Sequence, residues 1–254
     1  MLLVQFEDFR FGCKALPRQA RSRSYSVRAS ARVEPHHKYC THGLVLDMTV
    51  RVQSKGEQTR KRIMDLAQDA VLQKGFAATS IDEIIAEAGI TKSGFFYHFR
   101  DKNDLAKAML QRYLDDEWTV FDRLFKQADE LSEDPLHSFL IFLKLFADLM
   151  ADIPNGHPGC LVASYVYSEH LFSRDVRTMT TEGHLIWRQR FGERLRKIAE
   201  RYPPKTELDL DDLADMLSAV ADGGIILSKS LHNPVLLPKQ ILLYRSLIKA
   251  TFQG

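Results

Sequence analysis

Between Thr91 and Lys102 the chain reads TKSGFFYHFRDK, a set of residue types suited to recognition rather than to bond-making. Thr91, Lys92, Ser93 and Gly94 are small or polar, as residues must be to enter a major groove and reach base edges. Tyr97, His98 and Lys102 offer a phenol, an imidazole and an ammonium, each able to donate to phosphate oxygens. Phe95 and Phe99 stand four residues apart, on one face of a helix, and suit a core that pins a short helix against its neighbours. Phe96 fits either side. The partner these residues point to is double-stranded DNA, with phosphate contacts fixing register and groove contacts reading sequence.

Other chemistry finds little support. There is no glycine-rich phosphate loop, no nucleophile elbow and no zinc-ligand spacing, and the acids and histidines lack the tight pairing of acid–base catalysis. We therefore expect no enzyme activity, no metal and no cofactor. His36, His37, Cys40 and His42 cluster without a second ligand pair downstream, and His157 with Cys160 alone makes no metal site. Cys160 stands where a helix begins. The positive end of that helix would lower its thiol pKa and make it reactive, against the alternative of an inert buried thiol.

The elements that must position the recognition residues are explicitly punctuated. A first helix from about Lys55 carries Ile63, Leu66, Ala67, Ala70 and Val71 on one face and stops at Gly75. Ser80 with Glu83 forms a capping box ahead of Ile81, Ile84, Ile85 and Ala88, and Gly89 ends that helix. Thr91 caps a third helix reaching about Phe99, and Asp101 caps a fourth. Two helices joined by a tight glycine-containing turn form a helix-turn-helix.

These residues resemble the TetR (tetracycline-repressor) family of bacterial transcription regulators. The resemblance is carried by Thr59-Arg60, Ile63, Ala67, Gly75-Phe76, Thr79-Ser80, Ala88-Gly89-Ile90-Thr91, Phe95, His98-Phe99, Lys102 and Leu105, and covers roughly Gln58 to Leu105. It implies an all-helical homodimer with a DNA-binding head and a larger body that binds a small-molecule inducer. It also implies that Thr91, Lys92, Ser93 and Gly94 face bases and that Tyr97, His98 and Lys102 hold the backbone. Thr79 would lie near a phosphate. Phe96 departs from the family, which usually has tyrosine there. That removes a hydroxyl contact, for which stacking or a thymine methyl would substitute. The basic run Arg60-Lys61-Arg62 is a solvated face that can also border a phosphate strand.

The remainder reads as helix almost throughout, giving an all-α fold of about nine helices: a three-helix head at 55–104 and a regulatory and dimerisation domain at 105–254. Helices are expected over about 101–127, from Asp134-Pro135, over 160–172, 173–201, 211–231 and 238–252, with linkers at PNGHPG and YPPKTELD. Phe142, Phe146, Tyr165, Tyr167, His170, Phe172, Trp187 and Phe191 are candidates to line an inducer pocket. A dimer interface is expected from the last two helices. Ala214, Leu217, Ser218 and Ala221 are small enough for close approach, and Ile241, Leu242, Tyr244, Arg245 and Ile248 complete a four-helix bundle.

Bulk properties bound these readings. The 254 residues carry a net charge of +2, so positive charge for DNA must be local. Three cysteines at irregular spacing fit a reducing compartment, and the resemblance places the protein in bacterial cytoplasm, at the nucleoid when DNA-bound. The run SFLIFLKLFADLM is charged and too short for a bilayer, so no membrane partner is expected. Residues 1–54 read as an unstructured Arg- and Ser-rich extension. It is an organelle transit peptide, a basic DNA-binding arm, or upstream sequence ahead of a true start at Met48. The alternative to a ligand-responsive repressor is an all-helical small-molecule-binding protein or enzyme whose head no longer binds DNA.

Overall fold

The computed structural model describes residues 54–253. The expectations placed on residues 1–53, including the His36–His42 cluster and the start at Met48, lie outside the described residues. Within them the fold is all-α, with nine α-helices and no strand. No helix among the described residues is long and apolar enough to cross a membrane.

The head is built by local capping. Helix α1 (Lys55–Lys74) stops at Gly75, whose φ of 87° is open to glycine at little cost. Helix α2 (Ile81–Ala88) is opened by Ser80, whose Oγ accepts from the Glu83 amide at 3.1 Å. The Glu83 carboxylate pairs with Lys74 across the α1–α2 corner. Gly89, at φ 63°, ends α2 with its own N–H on Ala86 O and the Ile90 N–H on Ile85 O. Thr91 then caps α3 (Lys92–His98), its Oγ1 accepting from the Gly94 amide at 3.1 Å. A side-chain carbon added at Gly94 would lie 3.3 Å from that same Oγ1. Beneath these turns Ile63, Ala67, Val71, Ile84, Phe95 and Phe99 are fully buried or nearly so.

Six helices follow: α4 (Lys102–Leu131), α5 (Pro135–Ala151), α6 (Leu161–Val166), α7 (Arg174–Arg201), α8 (Leu210–Ser230) and α9 (Leu236–Gln253). Asp101, Asp134 and Asp209 cap α4, α5 and α8 with their carboxylates. Helix α9 packs on both α5 and α8, while α7 lies along α8 and α4. The centre is aromatic: Phe125 stacks on Phe142 at 4.0 Å, and Phe121, Phe146 and Phe191 close around them. Along the α4–α7 seam Arg190 pairs with Asp122 and Arg194 with Asp129. The Arg194 guanidinium also covers the Phe125 ring, 4.4 Å from its centroid.

The single helix expected over 160–172 is broken. Helix α6 ends at Val166, and a 3-10 turn, η1 (Glu169–Leu171), leads to Phe172. The break lets Phe172 stack on Tyr165, with centroids 4.3 Å apart. In a continuous helix, residues seven apart would be separated by about 10 Å along the axis and could not stack. Tyr165 is anchored by its hydroxyl, which donates to Ala106 O of α4 at 3.1 Å, and both rings bear on Phe76 in the α1–α2 turn. Arg112 makes a second link between body and head, reaching Asp65 at 2.7 Å and Gln68 at 3.1 Å on α1. By contacts, Lys55–Gly254 form one unit, so the head and the later helices pack as neighbours.

Candidate nucleic-acid interface and interior polar cluster

Phe95 and Phe99 do what their spacing predicts: both are buried, their rings 5.8 Å apart, and they hold α3 from beneath. The tip residues Thr91, Lys92 and Ser93 are exposed, with Gly94 half-buried beside them. Thr91 and Ser93 share a hydroxyl–hydroxyl hydrogen bond of 3.0 Å, which fixes the direction of both side chains. Tyr97 is 83% exposed and Phe96 44% exposed, its ring edge-on to Phe95 at 5.4 Å. A phenyl ring left that far in water on a seven-residue helix has no role in holding the head together, so Phe96 faces outward. His98 is half-buried between Tyr97 and Phe99.

Two of the residues named from the sequence are placed differently. Thr79 is only 2% exposed, and its hydroxyl donates to Gly75 O at 3.0 Å, closing the α1–α2 turn. Lys102 folds back onto Phe76, donating to its carbonyl with the ammonium 4.1 Å from the ring centroid. Burial there pulls its pKa below the usual lysine range. Both residues support the turn carrying Phe76, which Ala77, Ala78 and Ser80 cover from the solvent side. The basic run is also engaged within the head: Arg60 lies over Phe99 at 4.8 Å, Lys61 pairs with Asp65, and Arg62 reaches Glu87 O.

The pocket candidates do not converge. Phe142 and Phe146 are packed into the aromatic centre, and Phe191 joins them. Tyr165 belongs to the joint with the head. Tyr167 is 80% exposed, and His170 is exposed on the 3-10 turn. Trp187 alone borders something other than core, since its Nε1–H donates to Glu117 Oε2 at 2.8 Å.

Glu117 was missed in the sequence reading although its signal was available. On α4 the buried face runs Met109, Tyr113, then Phe121, Phe125, and Glu117 occupies the same four-residue step. It lies near Asp222 of α8, and burial together with that second carboxyl pushes its pKa up to about 7. The Cys160 thiol hydrogen-bonds the Asp222 carboxyl and the Tyr113 hydroxyl, while its Sγ accepts from the Ala163 amide at 3.3 Å.

The structure overturns the expectation of a reactive Cys160. Burial and the neighbouring Asp222 push the thiol above its ordinary range, outweighing the helix start and its single amide. At pH 8, iodoacetamide is expected to label Cys160 at least about tenfold more slowly in the folded protein than in urea. The rate is read on the Cys160 peptide by mass spectrometry. Equal rates would restore the reactive thiol. Among the described residues no group of three or more His, Cys, Asp or Glu could hold a metal.

The small residues chosen for the dimer face also lie elsewhere. Ala214, Leu217, Ala221, Ile241, Tyr244 and Ile248 are buried where α8 and α9 pack on the subunit's own core. The Tyr244 hydroxyl donates to Leu213 O at 2.7 Å and the Arg245 side chain to Leu140 O at 2.8 Å, while Ser218 is half-buried. The opposite sides of the same helices carry exposed Met216, Ile226 and Leu227 on α8, and Leu243 and Leu247 on α9.

A three-helix head closed by these caps, on an all-α body, defines a member of the TetR family of bacterial regulatory proteins, and residues 63–109 match that family's model. The head region is 36% identical over 58 residues to the HTH-type transcriptional regulator AcrR of Shigella flexneri, covering 23% of this chain and 27% of that one. It is 29% identical over 107 residues to the HTH-type transcriptional regulator TtgR of Pseudomonas putida, covering 41% and 49%. A longer match, 27% over 158 residues, joins it to the transcriptional regulator AcuR of Cereibacter sphaeroides, covering 62% and 70%. Against TtgR, the chain thus spans about half of the relative's length. Solved TetR-family structures from Agrobacterium tumefaciens and Chloroflexus aurantiacus share the fold, with TM-scores of 0.64 and 0.62. They cover 78% and 77% of this chain and 99% and 96% of those, at 16% and 23% identity.

Proposed function

We propose that this protein is a ligand-responsive transcriptional repressor that binds a near-palindromic operator as a homodimer and is released by a small-molecule inducer. In this reading residues 55–104 contact DNA and residues 105–254 dimerise and bind the inducer. The protein works in the bacterial cytoplasm, on the nucleoid. The observation that carries it is the contrast across α3, where Phe95 and Phe99 are buried while Thr91, Lys92, Ser93 and Tyr97 stand in solvent on the opposite side. A short helix fixed from beneath, with a polar tip free, has the form needed to enter a major groove. Phe96 adds an apolar contact for a thymine methyl, and His98 is in reach of the backbone beside Tyr97. The support that Thr79 and Lys102 give to the α1–α2 turn makes their part in DNA binding indirect.

The test is fluorescence anisotropy on a duplex from the gene's own promoter, across a salt series. Lys92→Ala and Tyr97→Ala should each weaken binding by about 10-fold or more, and Lys92→Ala should lower the salt slope by about 1 if it meets a phosphate. Unchanged affinity and slope in both variants would end the DNA-binding reading.

A further inference from the structure

The carboxylates of this protein fall into two groups. Those along the helix seams are matched to arginines: Asp65 to Arg112 at 2.7 Å, Asp129 to Arg194 at 2.6 Å, Asp134 to Arg201 at 3.1 Å, and Asp215 to Arg188 at 2.6 Å. Glu117 and Asp222 are the exceptions. They meet between α4, α8, α7 and the start of α6, and neither has a lysine or arginine partner among the described residues. Glu117 is held by the Trp187 indole N–H, and Asp222 by the Cys160 thiol, with His184 of α7 the one basic group near enough to favour its charge.

We propose that Glu117 and Asp222 are the anionic end of a binding site for an aromatic organic cation, walled by Trp187, Trp118 and Tyr113. The proposal rests on the reading of the body as inducer-binding and names the class of inducer.

Two observations beyond the pair of acids support it. First, Glu117, Cys160, Trp187 and Asp222 each retain accessible surface, although burial dominates the proton affinity of the three that titrate. Side chains that are desolvated yet reachable border a space, and do not pack against solid core. Second, the flanking surfaces are aromatic. Trp187 stands edge-on to Phe121 at 4.9 Å and 6.3 Å from Trp118, while Tyr113 reaches the same cluster through Cys160. Two like charges without a countercharge are costly in such surroundings, and an entering cation would offset that cost twice, by charge and by ring contact. An anion of the same size would meet the acids with repulsion.

Tetraphenylphosphonium and tetraphenylborate have the same shape and opposite charge, and they serve as the probes. Trp118 and Trp187 are the two tryptophans of the chain, so their fluorescence reports the site directly alongside calorimetry. At pH 8 the phosphonium is expected to bind and quench, with the borate at least tenfold weaker. Glu117→Gln and Asp222→Asn should each weaken the phosphonium at least tenfold. Glu117→Gln keeps an oxygen to accept the Trp187 N–H, so a merely structural role would leave binding unchanged.

Equal binding of both ions, no phosphonium binding, or wild-type affinity in both variants overturns the proposal. The comparison of the two ions on unaltered protein decides it even if a variant fails to fold. Operator anisotropy on the same samples separates the two readings. DNA binding without cation selectivity removes only the ligand class, and cation selectivity without DNA binding removes only the regulator.

Discussion

Leu243→Asp is expected to leave the subunit folded but monomeric, and to lower operator affinity at least about a hundredfold, because two linked heads bind far more tightly than one. Leu243 is 64% exposed on α9, one turn from Leu247, and Ile226 is 55% exposed on α8 among Met216 and Leu227. Both helices therefore show apolar sides to solvent after their other sides have been buried against α5 and each other. A paired subunit is the natural cover for such a surface, and a stable interface needs about 800 Å² from each partner. The matched control is Ile241→Asp, two residues earlier, which buries a charge in the core and should unfold the chain. Sedimentation velocity and circular dichroism separate the two outcomes. A Leu243→Asp protein that still sediments as a dimer would place the interface elsewhere.

The second large effect is a dependence of stability on pH. Glu117 rises from an ordinary 4.5 to about 7 in the folded protein, because it is buried beside Asp222, with Cys160, Tyr113 and Trp187 facing it and no cation among them. The folded state thus keeps this proton to higher pH than the unfolded chain does. Below pH 4.5 the group is protonated in both states and costs nothing. Between 4.5 and about 7 folding stability falls as pH rises, and above 7 the whole cost of the buried charge is present. Glu117→Gln is therefore expected to stabilise the protein by about 2–3 kcal/mol at pH 8.5 and hardly at all at pH 5. Urea unfolding at both pH values, at one protein concentration, measures the difference. Equal effects at the two pH values would show that Glu117 carries no buried charge.

What could be seen in the sequence was what depends on near neighbours. Ser80, Gly89, Thr91, Asp101 and Asp134 each act within four residues of themselves, and each caps the helix it was expected to cap. The burial of Phe95 and Phe99 followed from the same short-range spacing. What was lost depends on partners far along the chain. Trp187 meets Glu117 across 70 residues, and Tyr165 meets Ala106 across 59. The break after Val166 exists to serve the second of these. Side choice failed on α8 and α9 for another reason. Both helices are apolar on two sides, so small residues such as Ala214 and Ala221 could not reveal which side turns inward. Thr79 and Lys102 were misplaced because a hydroxyl or ammonium near DNA and one closing a turn look the same in one dimension.

The joint of Phe76, Tyr165 and Phe172 has a mechanical consequence. Phe76 belongs to the reading head, Tyr165 rides on α6, and its hydroxyl is tied to α4, so three elements meet at one set of rings. Such a junction acts as a gear and not as a cushion: α6 cannot rotate about its axis without displacing the turn that supports the head. Because Cys160, at the other end of α6, is tethered to Asp222, the torque for that rotation originates one short helix away from the groove-reading tip.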